Sequence, residues 1–394
     1  MFSQEEEGSE NSMTEVAKKT SPTSAVKSVS ELAPKVGSLG GWSIGVDLGG
    51  NNIRGAWVNT KGQLFDPIKW DTKVSEGKEK VLGRLVQIVE ELLKNPPPDC
   101  EPSRDLLGVG FGIPGILHLK KGLVIQSPQF PDWKRFAVYE KLRKKIKFPV
   151  FIDNDANAAA LGEKLFGVCK PYDHFVYVTL GTGIGGALYL NGDIFHGSMG
   201  MAGEIGHITV DPQGPPESTG NRGSVELYAS GSGFTKILSD LRERYPQLNV
   251  QTPEELYELW KRGNKFPEFE AIEKVFDDMG DALGIMLANV VNTLDPQAVC
   301  FAGGLISTWK AFSRKMIQIT MERSYVARHN KLRILCTSLM KNSNFIEAGV
   351  VGAASLVFID SLRKQAQIEI KNVKIPTATT AAAGAAASLK AIAS

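Results

Sequence analysis

The stretch that decides the fold is WSIGVDLGGNN, residues 42–52, in which a strand-like run stops at a pair of glycines. Another strand-like run, RGAWVN, follows almost at once, so the pattern is strand, Gly-rich turn, strand. Adjacent glycines let backbone N–H groups approach an anion with no Cβ in the way. The turn is therefore predicted to cradle a phosphate group, with a plain tight turn as the alternative.

The same arrangement recurs further along the chain at TLGTGIGG (Thr179–Gly186). Its glycines fit G-x-G-x-x-G, but that dinucleotide-binding motif must open a helix, and the GGALYLNGDIF that follows alternates like a strand. The pattern therefore argues against a dehydrogenase. Because strand–turn–strand occurs twice, we favour two phosphate cradles and two related lobes that each offer a hairpin to one cleft.

Composition and charge argue against several classes of protein. The chain has 394 residues and a net charge of +2, without the basic excess that is typical of a nucleic-acid-binding protein. Its four cysteines form no CxxC pair, which favours buried free thiols in a reducing compartment. The N-terminus has no apolar signal segment, and the longest nearly apolar run, residues 348–359, is too short to span a bilayer. We expect a cytoplasmic protein without a membrane partner.

Strand-like and helix-like segments alternate between two polar or low-complexity tails. DLLGVGFGI and HFVYVTL are typical of strands, and KEKVLGRLVQIVEELLKN is typical of an amphipathic helix. The alternation predicts an α/β fold with mixed sheets. Residues 1–40 are predicted to be a disordered N-terminal tail, and residues 373–394 a low-complexity C-terminal tail.

Two carboxylate positions could carry chemistry. Asp47 ends the strand before the first Gly-rich turn, where it either caps the turn or holds Mg²⁺ through water beside a phosphate. Asp153, Asn154 and Asp155 begin an Ala-rich helix, and one of the three must cap it. A second carboxylate there is favoured in its ionised form by the helix dipole, which suits a general base.

Spacing alone leaves the roles of several other residues undecided. Glu204, His207 and Glu226 flank an irregular loop and could form a metal site, a substrate site or a polar surface. The paired glycines of AGGL, residues 302–305, either support a nucleotide ring or form a tight turn.

Six segments, in this order, resemble the ROK family of sugar kinases (repressors, open reading frames and kinases), within the actin/hexokinase superfamily: GVDLGGNNIRGA, GFGIPGIL, FIDNDANAAALGE, VTLGTGIGGALYLNGDIFHGSMGMAGEIGH, GNRGSVELYASG and AGGL. The resemblance covers about residues 42–372 and is strongest to glucokinases. It implies a two-lobed actin-like ATPase (ribonuclease H-like) fold with mixed β-sheets and a central cleft. The implied small lobe is 41–152 completed by 349–372, and the large lobe is 153–348.

The resemblance also implies roles for individual positions. Asp155 matches the catalytic base, and Asp47 lies near the metal. The positions that match sugar contacts are Gly115, Asn154, Asp155, Glu204, His207 and Glu226. The positions that match nucleotide contacts are Gly49, Gly50, Asn51, Gly181, Thr182, Gly183, Gly303 and Gly304.

Two departures from the family pattern stand out. Asn51 occupies a position where the family usually has Thr, and its side chain still donates a hydrogen bond. Many ROK kinases bind structural zinc through a His and three Cys, but here the Cys positions hold Glu217, Thr219 and Ser224. Hydroxyls are poor zinc ligands beside thiolates, so no zinc is expected.

The resemblance implies an enzyme that phosphorylates a hexose with ATP and Mg²⁺, glucose to glucose 6-phosphate first of all, and that forms a homodimer. Mannose, an N-acetylhexosamine or fructose is an alternative substrate, and polyphosphate an alternative donor. A sugar-sensing ROK-type transcriptional regulator ranks below these, because the polar residues 1–40 lack the pattern of a helix-turn-helix domain. No nucleic-acid partner is expected.

Overall fold

Two five-stranded mixed sheets with the same plan carry the two Gly-rich hairpins. In the computed structural model, which describes residues 27–217, 220–265, 267–339 and 346–372, the sheet orders are β3-β2-β1-β4-β7 and β10-β9-β8-β11-β12. In each sheet the hairpin is antiparallel, and its first strand pairs in parallel with a later strand. This confirms the α/β architecture with mixed sheets. The strands are β1 (Trp42–Leu48), β2 (Asn52–Asn59), β3 (Leu64–Asp71), β4 (Leu106–Ile113), β5 (Ile116–His118), β6 (Leu123–Gln126), β7 (Val150–Asn154), β8 (Phe175–Leu180), β9 (Ile184–Leu190), β10 (Asp193–Ile194), β11 (Ala298–Ala302) and β12 (Arg333–Cys336).

Helices cover the sheets and build a separate apolar core on each. The helix Lys78–Lys94 turns its buried face, which includes Leu85, Ile88 and Leu92, toward the first sheet. The long helix Phe269–Leu294 and the helix Trp309–Arg323 pack on each other in the core of the second sheet. The α-helices are α1 (Val29–Leu32), α2 (Lys78–Lys94), α3 (Pro102–Asp105), α4 (Val138–Lys145), α5 (Asp155–Phe166), α6 (Glu226–Ala229), α7 (Gly231–Arg244), α8 (Pro253–Trp260), α9 (Phe269–Leu294), α10 (Trp309–Arg323) and α11 (Ile346–Asn372).

One compact unit, Ser28–Leu362, contains both sheets and all the site residues described below. The other unit combines Met1–Lys27 with Arg363–Ser394, and its described part is Lys27 and the last turns of α11. The assignment of 41–152 with 349–372 and of 153–348 to two lobes remains our proposal.

Helix α11 contacts the backbones of β1 and β4 directly. A Cβ on Gly45 of β1 would lie 2.0 Å from the carbonyl oxygen of Val350, and one on Gly110 of β4 would lie 1.9 Å from that of Ala353. Real Cβ contacts are never that short, so both strand positions require glycine. Helix α11 therefore packs against β1 and β4 near their carboxyl ends, where the polar residues described below lie.

Part of the segment that is predicted as a disordered N-terminal tail, residues 1–40, is ordered in the structure. Residues Val29–Leu32 form a helix with a capping box between Ser28 and Glu31, and a 3-10 helix follows over Ala33–Ser38. Its apolar side chains Val29, Leu32 and Val36 are buried, which stabilises a segment whose polar composition alone predicted disorder. Residues 1–26 and the predicted tail at 373–394 lie outside the described residues.

The cysteines are free thiols, and Cys169 and Cys300 form a buried cluster with Glu163. Both carboxylate oxygens of Glu163 already accept hydrogen bonds, from the Thr337 hydroxyl and from the backbone N–H of Val168. The cluster thus ties the end of α5 to the segment that follows β12. Within the described residues, no helix is both long and apolar enough to cross a bilayer.

We predict that Gly45→Ala destabilises the protein by about 3 kcal/mol or more, because the added methyl group overlaps the backbone of α11. Gly83→Ala is the matched control, since Gly83 lies inside α2 with nothing within 4 Å of an added Cβ. That change should stabilise the protein by roughly 0.5–1 kcal/mol through helix propensity. Urea unfolding measures both, and equal effects would contradict the close packing.

Candidate active site

A cleft of about 880 Å³ opens where the carboxyl ends of the parallel strands meet the hairpin turns. Open α/β sheets bind ligands at such ends. Every residue that the sequence singled out as a site residue lines this cleft: Asp47, Gly49, Gly50, Asn51, Gly115, Asn154, Asp155, Gly181, Thr182, Gly183, Glu204, His207, Glu226, Gly303 and Gly304. Their individual roles remain predictions, and the contacts below give them a physical basis.

Asn154 caps helix α5, which leaves Asp155 free for another task. The side-chain oxygen of Asn154 accepts hydrogen bonds from the backbone N–H groups of Ala156 (2.9 Å) and Asn157 (3.3 Å). Its amide nitrogen donates to the carbonyl oxygen of Gly115 at 3.2 Å, which ties the helix start to the turn that follows the neighbouring strand β4. Capping therefore accounts for one of the three polar residues at the helix start.

Asp155 has the proton affinity that a general base needs near neutral pH. Burial is the largest cause, and the negative charges of Asp47 and Glu204 add to it, so that the pKa of Asp155 rises to about 7. Gly112, at the end of β4, lies between the two aspartates, and a Cβ there would be 3.7 Å from Oδ1 of Asp47 and 3.4 Å from the Cα of Asp155. Both carboxylates thus face one small space.

Asp153 is engaged away from the cleft. Its carboxylate lies 2.7 Å from Nε2 of His196 and accepts hydrogen bonds from the backbone N–H of Asn154 (2.7 Å) and from Nδ2 of Asn157 (3.0 Å). These contacts join the start of α5 to the loop that leads from β10 toward Glu204. Asp153 therefore supports the neighbouring Asp155 and does not compete with it for a substrate.

Asp47 is a partly buried carboxylate that fits a metal role. Burial raises its pKa, while Arg54, whose guanidinium lies 3.4 Å away, acts in the opposite direction. Gly349 of α11 packs so closely that a Cβ on it would be 2.6 Å from Cγ of Asp47. Asp47 and Asp155 are two partly buried carboxylates that line the same cleft, and the guanidinium of Arg54 pairs with Asp47. One guanidinium does not neutralise two carboxylates, so a hard cation such as Mg²⁺ fits this donor set.

Each hairpin turn leaves backbone donors free. In the first turn Gly49 donates to Asn52, and in the second Gly181 donates to Gly183, so one N–H of each turn is used internally. Among the described residues, no acceptor takes the next two N–H groups of either turn, which belong to Gly50, Asn51, Thr182 and Gly183. Such free donors at the cleft are what an anion cradle requires.

The AGGL segment forms a tight turn at the same cleft. Gly303 has a φ of +92°, and a Cβ on it would be 2.3 Å from the carbonyl oxygen of Leu180 at the end of β8. Gly304 then begins a 3-10 helix. The turn is thus set by backbone packing, and its exposed surface still lines the cleft beside the second hairpin.

Glu204, His207 and Glu226 lie close together in the wall of the same cleft. Burial is the main cause of the raised pKa of Glu204, His207 lowers it, and Glu226 raises it further. The carboxylate of Glu226 accepts a hydrogen bond from the backbone N–H of Ile184 at 2.7 Å, next to the second Gly-rich turn. Glu226 therefore supports that turn as well as facing the cleft, a contact that the sequence pattern did not reveal.

A model of the ROK family matches residues 43–359. The chain belongs to the ROK family. The glucokinase of Thermotoga maritima is 30% identical over 323 residues, which span 80% of this chain and 96% of that protein. The xylose repressor of Bacillus subtilis is also 30% identical, over 325 residues that span 82% of this chain and 79% of the repressor.

A solved structure supports the same placement. The ROK family glucokinase from Streptomyces griseus, in complex with glucose and AMPPNP, matches with a TM-score of 0.67 and 26% identity over 80% of this chain and 99% of that chain. The fold is therefore the actin-like ATPase fold that the motifs implied.

The sequence patterns did not predict two polar residues, Arg54 and His196, which contact the carboxylates of Asp47 and Asp153. Arg54 lies on β2 opposite Asp47 in the strand register, so hairpin pairing could have revealed it. His196 lies in an irregular loop, and no local pattern announces its contact with Asp153, which is 43 positions away in the sequence.

We predict that Asp155→Asn lowers kcat by roughly 10²–10⁴ with a modest change in sugar affinity, because the amide keeps the shape and loses the base. Asp153→Asn is the matched control, and should lower kcat by less than about tenfold while costing about 1–3 kcal/mol of stability through its lost acceptor. Steady-state kinetics and urea unfolding of both variants check this. The opposite ranking of the two kcat values would show that the wrong carboxylate has been chosen.

Proposed function

We propose that this protein is an ATP-dependent sugar kinase that phosphorylates a hexose, glucose in the first place, with Asp155 as the general base. The observation that carries the proposal is the partly buried carboxylate of Asp155, with its pKa raised to about 7, in the same cleft as two turns with free N–H donors and the Glu204–His207–Glu226 group. The glucokinases of Thermotoga maritima and Streptomyces griseus support glucose as the first substrate to test.

Asp155 accepts the proton of the attacking sugar hydroxyl as its oxygen bonds to the γ-phosphorus of ATP, while the bond from that phosphorus to the bridging oxygen breaks and ADP leaves. A carboxylate with this pKa is a stronger base than an exposed aspartate, and around neutral pH a large enough fraction of it is ionised to accept the proton. Asn154 is fixed by its capping bonds and its contact with Gly115, and it holds the helix start in place during this transfer.

The Gly-rich turns bind the phosphates of the donor. Their free N–H groups stabilise the negative charge on the phosphoryl oxygens without any rearrangement, since the hairpins already hold them in position. Asp47, directly or through water, would hold Mg²⁺, which neutralises phosphate charge when bound. Glu204, His207 and Glu226 would orient the sugar through hydrogen bonds to its hydroxyls.

A sugar-responsive regulator is the second candidate. The similarity to the xylose repressor of Bacillus subtilis favours it, because that match is as high as the match to a glucokinase. A regulator needs sugar binding but no phosphoryl transfer, so it does not require a base with a raised pKa beside the phosphate cradles. This difference makes turnover the deciding measurement.

The test is a panel of glucose, mannose, N-acetylglucosamine, N-acetylmannosamine and fructose with Mg²⁺ and either ATP or polyphosphate. We expect ATP-dependent formation of a hexose 6-phosphate, with the highest kcat/KM for glucose, and its loss in Asp155→Asn. Product is identified by mass spectrometry and ADP release is measured in parallel. Sugar binding by calorimetry without any turnover would contradict the kinase and favour the regulator.

A further inference from the structure

The segment that follows β6, residues 127–129, lines the cleft, and no step of the proposed mechanism uses it. At one end Ser127 packs against Gly115, where an added Cβ would lie 2.7 Å from the Cβ of Ser127. At the other end Gln129 packs against Gly50 of the first Gly-rich turn, where an added Cβ would lie 3.4 Å from Oε1 of Gln129. The segment therefore runs from the proposed sugar pocket to the proposed phosphate cradle.

A β-turn with an internal proline holds Gln129 in place. The backbone N–H of Phe130 donates to the carbonyl oxygen of Ser127 at 3.1 Å, so Pro128 and Gln129 are the two central residues of the turn. Phe130 and Trp133 are fully buried in the core of the first sheet, with their ring centroids 4.9 Å apart. The aromatic side chains thus anchor the turn, which positions Gln129 at the cleft.

The side-chain amide of Gln129 makes no hydrogen bond within the part of the chain that the structure describes. Its oxygen is buried and has no partner there, and its nitrogen, which is not buried, donates to no described residue. A buried polar atom without a partner destabilises a fold, and it is tolerated where the function uses the group. Because the oxygen packs against Gly50, the nitrogen is the atom left for the cleft. Gln129 therefore adds an N–H donor beside the free backbone N–H groups of the first turn.

We propose that Gln129 is a catalytic residue that binds the phosphoryl group during its transfer, a role that rests on the proposed sugar kinase activity. The transferred group must lie between the sugar hydroxyl and the rest of ATP, and Gln129 lies between Gly115 and the first Gly-rich turn. The bond from the sugar oxygen to the γ-phosphorus forms, the bond to the bridging oxygen breaks, ADP leaves and Asp155 takes the proton. The amide N–H of Gln129 donates to an oxygen of the moving group and stabilises its negative charge.

Nucleotide binding tests the position of Gln129 without any turnover. Gln129→Glu places a negative charge where the amide lies, so it should raise the Kd of AMPPNP, a non-hydrolysable analogue of ATP, about tenfold or more in the presence of Mg²⁺. ADP lacks the γ-phosphate, so its Kd should change by less than about threefold. The matched control is Gln126→Glu, which adds the same charge to an exposed residue of β6 outside the cleft and should change neither Kd. Calorimetry measures all four constants.

Gln129→Met removes the donor and keeps the length of the side chain. We expect kcat to fall by about 10–100-fold and the KM for glucose to stay within about twofold, because the amide acts on the phosphoryl group and not on the sugar. The midpoint of urea unfolding should stay the same or rise, since no hydrogen bond is lost and an unpaired buried oxygen is removed. An unchanged kcat, with or without a lower midpoint, would show a merely structural residue and would overturn the proposal.

Equal losses of affinity for AMPPNP and ADP in Gln129→Glu would also overturn the proposal, because Gln129 would then only support the turn. If Gln129→Glu does not fold, Gln129→Met replaces it, with the affinity for AMPPNP weakened about threefold and that for ADP unchanged as the expected result. If the wild type binds AMPPNP but phosphorylates no sugar, the proposed function fails. The comparison of AMPPNP with ADP then still decides whether Gln129 lies beside the γ-phosphate.

Discussion

The close contact of α11 with glycine positions in β1 and β4 is the constraint on which the rest of the site depends. Because Gly45 and Gly110 have no side chains, the helix reaches the sheet backbone and brings Gly349 against the carboxylate of Asp47. A further glycine, Gly112, leaves the space that Asp47 and Asp155 share. The two carboxylates are therefore close together and partly buried because four backbone positions lack a Cβ.

That proximity has an electrostatic consequence. Burial disfavours the charged forms of both carboxylates, so the pKa values of Asp47 and Asp155 both rise, and the negative charge of Asp47 raises the pKa of Asp155 further. Arg54 offsets part of this at Asp47, whereas helix start N–H groups offset part of it at Asp155. The two carboxylates thus have different partners. In the proposed mechanism Asp47 binds the cation, and Asp155 transfers the proton.

The sequence predicted the hairpins and the cleft because they depend on local patterns. A strand that stops at glycines and restarts as a strand has few folded solutions, and its repetition predicted the second sheet. The order of six motifs predicted which residues line the cleft. The prediction of disorder is wrong for residues 28–39, because their burial depends on packing against distant parts of the chain, which a polar composition does not report.

Local sequence patterns could not predict the contacts that hold the site together. The bond from Glu226 to the N–H of Ile184 and the pair between Asp153 and His196 both join segments that are far apart in sequence. At His207 the sequence revealed the missing thiolates, but only the structure shows Glu217 beside the ring. Such loop contacts depend on which segments the fold brings together, and the periodicity of the sequence does not reveal them.

The central claim is that the partly buried Asp155 is the group that takes the proton, and the pH dependence of kcat/KM for the best sugar tests it most directly. A base acts only when it is deprotonated, so kcat/KM should fall tenfold per pH unit below an apparent pKa of about 7 in the wild type. The residual activity of Asp155→Asn should lack this acid limb. An acid limb that survives unchanged in Asp155→Asn would contradict the account, because another group would then have to titrate.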